Sequence, residues 1–357
     1  MINFSTGPSR VHDQLGRYFA DALKNDICSI NHRSTEFKSI YKSIKKHLAT
    51  KLKLPEGYVP ILMSSATECW YVLSRDFDQM PFYHFFNGAF GQRWFEYRYA
   101  QNPSNTFKIN FEVDVYPRLP AYLPPNGFIA LTANETSNGT ALPREVMHNI
   151  RQTYPDSIIA VDATSCMAGE VLNWENADVW FASVQKCFAL PAGMAVLVVS
   201  EKVAQAVKNK PQTQYNSLSY LYNMALENQT THTPNVLNAY FLSRVLESSP
   251  EIELIDAQIT ARAQSWYSFL EKIGLQAFVK DAELRSRTVV AVQDSPKRIK
   301  KIKQVALESG FLLGEGYGQL KADTFRIANF PQHTEEETYM LQDFLKELLT
   351  NKHLLSK

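Results

Sequence analysis

Short apolar runs of strand length alternate with helical patterns along almost the whole chain. The clearest helical pattern follows Ser34, where apolar residues recur every three or four positions with lysines between them: Phe37, Ile40, Tyr41, Ile44 and Leu48. That spacing predicts an amphipathic helix with one face against a core. Apolar runs that predict buried strands occupy residues 59–63, 82–86, 128–132, 158–162, 181–186 and 194–199. Strands that alternate with helices in this way are typical of an α/β protein with a mostly parallel sheet.

The pattern starts again after Leu246 and predicts a second, smaller unit. The elements predicted there are a long helix from residue 252, strands at 288–292 and 325–328, a helix at 296–308 and a terminal helix. Because 357 residues suit two domains, we expect a large domain over residues 1–245 and a smaller α/β domain over residues 246–357. The polar segment 210–233 is expected to be a long ordered excursion or a subunit contact.

The composition excludes several classes of partner. A formal net charge of +1 gives no electrostatic reason to expect nucleic acid or an anionic membrane. The first residues have neither a basic leader nor an apolar signal core, and no apolar run approaches membrane-spanning length, so we expect a cytoplasmic protein. The four cysteines, Cys28, Cys69, Cys166 and Cys187, form no Cys-x-x-Cys pair. Neither a metal site nor a disulfide framework is therefore expected.

Two charged residues stand at the ends of predicted buried strands. Lys186 follows one apolar run and precedes another, with the small residues Ala182, Ser183 and Ala189 around it, and Asp162 ends the run before it. A buried lysine with small neighbours can condense with an aldehyde, and a carboxylate can keep a pyridine nitrogen protonated so that the ring accepts electrons. The pair indicates pyridoxal phosphate chemistry. On these two residues alone, an equally good interpretation is that two buried strands happen to end in charged residues.

A possible anion site lies in the segment Ser64-Ser65-Ala66-Thr67, where a predicted strand runs through small residues into a helix. Such a turn leaves unpaired N–H groups at the start of the helix, and these can bind a phosphate. Many strand–helix turns have this sequence pattern, so this motif indicates a phosphate site only in combination with the other motifs in the chain.

Several motifs occur in the order typical of one enzyme family. They are Phe4-Ser5-Thr6-Gly7-Pro8, His32-Arg33-Ser34-Thr35-Glu36-Phe37, Asn134-Glu135-Thr136 with Gly139, Asp162, Gln185-Lys186, Thr233-Pro234 and Arg326. On these residues, which span nearly the whole chain, the sequence resembles the class V, fold type I aminotransferases and within them the phosphoserine aminotransferases. The resemblance implies an enzyme with pyridoxal phosphate as cofactor, small amino acids and 2-oxo acids as substrates, and a homodimer with active sites at the interface.

The resemblance also implies a set of cofactor-binding residues. Lys186 would carry the cofactor as a Schiff base and act as the general base, and Asp162 would pair with the ring nitrogen. Phe90 would stack on the ring where the family commonly has Trp, and Thr136 would hydrogen-bond the phenolic oxygen or the adjacent Asp. The residues implied for the phosphate are Ala66, Thr67, Glu68 and Gln185, with His232 and Thr233 from the opposite subunit, where the family has an Asn-Thr pair.

For the substrate, the resemblance implies that Arg326 binds the α-carboxylate with help from Thr6, and that His32 and Arg33 approach the distal phosphate or carboxylate. One departure concerns the phosphate: the family commonly has a His-Arg pair where this chain has Gln319 and Leu320. The adjacent Lys321 is a candidate replacement.

The implied reaction is transfer of an amino group from glutamate to 3-phosphohydroxypyruvate, which forms phosphoserine in serine biosynthesis. The alternative within the family is an aminotransferase that uses alanine, serine or aspartate with glyoxylate or pyruvate. A cysteine desulfurase is disfavoured because no Cys follows Cys187, and because Gln185 precedes the lysine where desulfurases favour His. A scaffold without chemistry is a further alternative, whereas an NAD dehydrogenase is disfavoured by the lack of a Gly-x-Gly-x-x-Gly motif.

Overall fold

The computed structural model describes residues 1–120 and 122–350. Its strands, in chain order, are β1 (Ile2–Phe4), β2 (Val59–Met63), β3 (Phe82–Phe86), β4 (Thr106–Asn110), β5 (Phe128–Thr132), β6 (Asn134–Glu135), β7 (Thr140–Ala141), β8 (Ile158–Asp162), β9 (Val179–Ser183), β10 (Ala195–Val199), β11 (Gln276–Ala277), β12 (Val289–Gln293), β13 (Phe311–Glu315) and β14 (Thr324–Ala328). Its α-helices are α1 (Leu15–Lys24), α2 (Thr35–Lys51), α3 (Ala66–Asp76), α4 (Ala89–Gln101), α5 (Arg144–Thr153), α6 (Glu201–Val207), α7 (Leu218–Leu226), α8 (Val236–Ser248), α9 (Ile252–Ile273), α10 (Pro296–Glu308) and α11 (Glu335–Thr350).

The larger sheet has the strand order β2-β10-β9-β8-β5-β3-β4. Its strands β9, β8, β5, β3 and β4 pair in parallel, and β10 runs antiparallel to both of its neighbours. Strands β5, β8, β9 and β10 are buried almost throughout, which explains their uninterrupted apolar sequences. The carboxyl ends of the parallel strands β5, β8 and β9 meet at one edge, where ligand-binding groups collect in parallel sheets.

The helix predicted after Ser34 is α2. The Ser34 hydroxyl caps it by accepting a hydrogen bond from the N–H of Phe37 at 3.2 Å, and the five apolar residues of the predicted stripe form its buried face. That face packs against α8. The fold class predicted from the sequence, a mostly parallel sheet wrapped by helices, is confirmed.

The second sheet has the order β1-β13-β14-β12-β11 and its own hydrophobic core. Strand β1 comes from the extreme N-terminal part of the chain and pairs in parallel with β13, so residues 2–4 lie with the C-terminal elements. The sequence pattern did not predict β1, β4 or β13. The division into two domains at residue 245 stays a prediction. Strand β1 is an exception to that division, because it belongs to the sheet of the smaller unit.

Two local features differ from the predicted pattern. Strand β9 ends at Ser183, so Lys186 lies in the turn between β9 and β10, where the chain reverses to form the antiparallel pair. The polar segment 210–233 contains α7, which packs against β2. None of the helices in the described ranges has both the length and the apolar character of a membrane span.

Replacement of Phe4 by alanine should destabilise the second sheet. Phe4 is fully buried, stacks on His333 at 5.0 Å between ring centroids and meets the edge of Trp266 at 6.4 Å. Loss of so large a buried ring should lower the free energy of unfolding by about 3–5 kcal/mol, measured by urea denaturation. Val11→Ala, at an exposed position close in sequence, is the control and should leave stability nearly unchanged. An unchanged denaturation midpoint for Phe4→Ala would show that β1 is dispensable for the core.

Candidate active site

A cavity of about 290 Å³ lies at the carboxyl ends of β5, β8 and β9, where the two sheets meet. Side chains from the larger sheet form its floor, including Asp162 and Lys186. The segment after β1 (Thr6, Gly7 and Pro8) and the second sheet, through Tyr317 and Arg326, form the opposite wall. The cavity therefore exists only when both sheets are assembled.

Lys186 is buried in this cavity and held by one hydrogen bond. Its side chain is 6% exposed, and its Nζ donates a hydrogen bond to Thr136 Oγ1 at 2.7 Å. Burial lowers the pKa of Lys186 to about 8, with a small further decrease from Arg326, while Asp162 and Glu135 oppose the change. A side chain at position 7 would place its Cβ 3.0 Å from Lys186 Cε, so Gly7 allows the N-terminal segment to cover the lysine closely.

Asp162 lines the same cavity as Lys186. Its Oδ1 accepts a hydrogen bond from the N–H of Thr164 at 3.0 Å, and its Oδ2 accepts one from Trp70 Nε1 at 3.2 Å. Burial raises the pKa of Asp162, and these hydrogen bonds and the charge of Lys186 oppose that rise. Among the described residues, Asp162 and Lys186 form no direct ion pair. The amine and the carboxylate therefore both remain available to a group placed in the cavity.

Phe90 forms an aromatic wall beside Lys186. The centroid of its ring lies 5.3 Å from Lys186 Nζ and 4.9 Å from the ring of Tyr317. The carboxylate of Glu135 holds this part of α4 in place, because it accepts hydrogen bonds from the N–H of Phe90 at 3.2 Å and from that of Gly91 at 3.1 Å. Helix α4 begins after Gly88, where a Cβ atom would clash with Glu135 at 2.2 Å. Glu135 thus replaces a conventional capping side chain and fixes the orientation of Phe90.

The start of α3 presents N–H groups to the cavity. Ser65 caps the helix by accepting from the N–H of Glu68 at 3.0 Å, and Ser183 Oγ accepts from that of Ala66 at 3.2 Å. The N–H of Thr67 has no acceptor in the part of the chain that the structure describes. A helix start with an available N–H group beside hydroxyl groups is suited to an anion.

Glu68 differs from its predicted neighbours in this group. Ala66, Thr67 and Gln185 line the cavity, whereas Glu68 does not. Its carboxylate accepts a hydrogen bond from the N–H of Ser64 at 2.9 Å and contacts Tyr215 and Asn216 on the other side. The structure therefore places its charge away from the expected phosphate.

Arg326 lies on β14 and faces the cavity from the second sheet. It is 7% exposed, its Nε donates to the Glu315 carbonyl at 2.7 Å, and its Nη1 donates to the Thr136 carbonyl at 2.7 Å. Burial lowers the pKa of Arg326 to about 10, and Glu135 opposes the decrease. The fixed guanidinium can still donate from Nη2 into the cavity, where Thr6 provides a buried hydroxyl.

Four residues predicted for the site do not line this cavity: His32, Arg33, His232 and Thr233. They lie elsewhere on the same subunit. Arg33 Nη1 donates to Gln229 Oε1 at 2.7 Å, and the ring of His232 lies 5.6 Å from that of Tyr215. Partial burial lowers the pKa of His32, with further decreases from the nearby charges of Arg33 and His232. These residues form a basic group outside their own subunit's cavity.

Sequence reasoning missed several residues that shape the cavity. Trp70 and Thr164 bind Asp162, Glu135 positions Phe90, and Tyr317 and Arg93 line the wall. The signal for Trp70 was its place one helical turn after Ala66, and the signal for Glu135 was its place beside Thr136 in a recognised motif. No local pattern marks Tyr317 or Arg93, because their positions depend on how the two sheets meet.

Comparison with known proteins agrees with this geometry. The fold is that of fold type I pyridoxal phosphate enzymes. The family description "Aminotransferase class-V" matches residues 120–316, and the chain belongs to that family of pyridoxal phosphate-dependent enzymes. A phosphoserine aminotransferase of Corynebacterium glutamicum (strain R) is 26% identical over 347 residues, which cover 92% of this chain and 89% of that protein.

Solved structures extend the similarity over the whole fold. The crystal structure of a phosphoserine aminotransferase from Cytophaga hutchinsonii superposes with a TM-score of 0.91 at 31% identity, covering 97% of this chain and 98% of that one. An aspartate aminotransferase from Thermus thermophilus shares the fold at 18% identity, with a TM-score of 0.82 and coverage of 98% of this chain and 99% of that one. Aminotransferases with different substrates therefore share this architecture, and the substrate must be argued from the cavity.

The pKa of Lys186 predicts how the ligand-free protein reacts with pyridoxal phosphate. Because burial lowers this pKa to about 8, the neutral and reactive amine should increase about fiftyfold between pH 6 and pH 8 and level off above that. Stopped-flow absorbance would follow the reaction, with N-acetyl-lysine in the same buffers to correct for titration of the aldehyde.

Lys186→Ala is the control for this experiment. It should bind the cofactor weakly and yield no borohydride-fixed cofactor, whereas the wild type should be labelled on the peptide that contains residue 186. A rate that keeps rising to pH 10, or a variant that still fixes cofactor stoichiometrically, would assign the reaction to another lysine.

Proposed function

We propose that this enzyme transfers the amino group of glutamate to 3-phosphohydroxypyruvate, forming phosphoserine and 2-oxoglutarate in serine biosynthesis. The observation that carries amino-group transfer is a buried guanidinium, that of Arg326, which lines the same cavity as the amine of Lys186. The similarity to phosphoserine aminotransferases over more than nine-tenths of the chain supports the choice of substrate.

The residues around the cavity suit pyridoxal phosphate. This cofactor supplies an aldehyde that condenses with amines and a protonated ring that accepts an electron pair. Lys186, with its lowered pKa, would carry it and later move a proton from the substrate Cα through its Nζ. Asp162, fixed by Trp70 and Thr164, would hold the ring nitrogen, and Phe90 would stack on the ring.

The phosphate of the cofactor would lie at the start of α3. Ala66, Thr67, Ser183 and Gln185 line the cavity there. Glu68 is left out of this set because it does not line the cavity and its carboxylate already accepts a hydrogen bond from the Ser64 N–H. The Thr136 hydroxyl accepts a hydrogen bond from Lys186 Nζ. With the cofactor bound, the same hydroxyl would instead hydrogen-bond the phenolic oxygen of the cofactor.

Substrate binding would begin at Arg326. Its guanidinium is held by two backbone carbonyls and can offer Nη2 to the α-carboxylate, with the Thr6 hydroxyl beside it. This contact orients the substrate Cα toward Lys186 and serves any α-amino acid. The distal group must therefore determine which acid is preferred.

We also propose a homodimer. His32, Arg33, His232 and Thr233 do not line the cavity of their own subunit, which fits residues that serve the cavity of a second copy. Exposed aromatic side chains near the cavity support this arrangement: Tyr71 on α3 is 45% exposed, and Tyr97 on α4, which lines the cavity, is 46% exposed. Aromatic groups so exposed near a site are typical of a surface covered by a partner.

A second candidate function is transamination with glyoxylate or pyruvate as acceptor. The observation that favours it is the uncharged pair Gln319 and Leu320, which border an adjoining cavity where the family commonly has His and Arg. Lys321 lines neither cavity, which gives no support to its replacing the missing charges. An acceptor without a distal anion would need none of them.

The substrate assignment is tested with phosphorylated and unphosphorylated acceptors in parallel. Wild type should prefer 3-phosphohydroxypyruvate to pyruvate and glyoxylate in kcat/KM. Arg33→Ala should remove about 1.5–3 kcal/mol of binding to the phosphorylated acceptor, roughly ten- to a hundredfold in kcat/KM, because a charged hydrogen bond is lost. Lys321→Ala is the matched surface control and should be neutral. A wild-type preference for pyruvate or glyoxylate would replace this proposal with the second one.

The dimer is tested with 3-phosphohydroxypyruvate as acceptor by mixing Lys186→Ala, which should be inactive, with Arg33→Ala, which should be strongly impaired. In a hybrid of Lys186→Ala and Arg33→Ala subunits, one site would have its own Lys186 and the partner's intact Arg33. Refolded mixtures should regain about a quarter of wild-type activity, since half of the dimers are hybrids with one complete site. Sedimentation would report the mass. No recovery above the separate variants, or an active monomer, would contradict the arrangement.

A further inference from the structure

Arg93 is a third cationic side chain on the wall of the active-site cavity, and the family resemblance assigned it no role. It lies on α4 one turn after Phe90, and Phe90, Arg93 and Tyr97 all line the cavity. Residues three and seven positions apart lie on one face of a helix. The helix face that carries the aromatic wall beside Lys186 therefore also carries a guanidinium.

The position of Arg93 joins two cavities. It borders the cavity that contains Lys186 and also an adjoining one of about 630 Å³, lined in part by the 317–320 turn. Tyr317 borders both as well, so Arg93 and Tyr317 both lie at the opening where the two cavities adjoin. A substrate whose α-carboxylate is at Arg326 and whose chain extends away from Lys186 would pass this opening.

The donors of Arg93 are not engaged elsewhere in the described ranges, where it forms no ion pair or hydrogen bond. The acid one turn further along its helix, Glu96, accepts from Gln92 Nε2 at 2.7 Å. The other two cations of the cavity are already held: Lys186 by Thr136, and Arg326 by two carbonyls. Arg93, which is exposed, is thus the cation of this cavity whose guanidinium has no partner among the described residues.

The 317–320 turn contributes no charged side chain to this region. Gln319 and Leu320 border the adjoining cavity without contributing a charge, and Lys321 lies outside both cavities. A distal phosphate or carboxylate would be desolvated at cost unless it met a cation. Within one subunit, the cation at the opening between the cavities is that of α4.

We propose that Arg93 binds the distal anionic group of the substrate, so that the enzyme selects amino acids and 2-oxo acids with a second negative charge, a carboxylate or a phosphate. The planar guanidinium can donate two parallel hydrogen bonds to either group. This inference rests on the proposed function only in placing the substrate α-carboxylate at Arg326. It makes α4 a specificity element as well as the support of Phe90.

The test uses the cofactor-loaded enzyme and three variants. Arg93→Gln removes the charge at similar length, Arg93→Lys keeps the charge without the planar fork, and Lys108→Gln removes a cation that borders only the adjoining cavity. Half-reactions are followed by cofactor absorbance with glutamate, phosphoserine and alanine. Arg93→Gln should lower kcat/KM for the two doubly anionic donors about ten- to a hundredfold, mainly through KM, and leave alanine within about twofold. Arg93→Lys should retain part of the preference, and Lys108→Gln should behave as wild type.

A binding measurement removes the dependence on turnover. Glutarate has two carboxylates and no amino group, and propionate has one. Calorimetric titration of the loaded enzyme should give a dissociation constant for glutarate about tenfold or more weaker in Arg93→Gln, with propionate unchanged.

Two results would overturn the inference. One is an equal loss in kcat for all three donors with KM unchanged, which would make Arg93 a support for the helix. The other is no loss for any donor, which would make it a solvated surface charge. If wild type reacts poorly with phosphoserine but Arg93→Gln still weakens glutamate and glutarate selectively, the Arg93 inference holds and the phosphoserine assignment fails.

Discussion

Burial of the Lys186 amine at the junction of the two sheets is the constraint on which the rest of the site depends. An ammonium group loses hydration when it is buried, and here it meets a hydroxyl, that of Thr136, instead of a carboxylate in direct contact. The cost of charging the amine lowers its pKa to about 8. The same constraint explains Gly7, because the N-terminal segment that closes the cavity comes within contact distance of the lysine stem.

Carboxylates around the cavity balance its cations without forming ion pairs with Lys186. Asp162 is fixed by Trp70 and Thr164, so its oxygens point in defined directions. Glu135 accepts hydrogen bonds from the start of α4, and its charge opposes the loss of positive charge on both Lys186 and Arg326. One carboxylate thus holds the aromatic wall in place and stabilises the charge of the arginine that lines the cavity. This separation of charges leaves room for a flat, polar ligand between them.

Helix α4 combines two kinds of recognition in the proposed site. Phe90 offers an aromatic face and Arg93 a guanidinium, and the two are separated by a single turn. Their spacing is set by the helix, and the start of that helix is held by hydrogen bonds that Glu135 accepts from the N–H groups of Phe90 and Gly91. Gln319 and Leu320 in the 317–320 turn are uncharged, and among the described residues Arg93 is the cation that borders both cavities.

The sequence by itself determined the buried strands of the larger sheet, the amphipathic face of α2, and the two charged residues Lys186 and Asp162. Local hydrophobic period records which face of an element is buried, and a charge directly after a buried run is visible without a fold. Tertiary structure decided the contacts between segments that are distant in sequence, which the hydrophobic pattern does not predict. It placed β1 in the second sheet, turned Glu68 away from the cavity, left His32 and Arg33 outside it and brought Arg93 to its wall. These outcomes depend on which segments meet across the two sheets, and no spacing within a single segment encodes such long-range contacts.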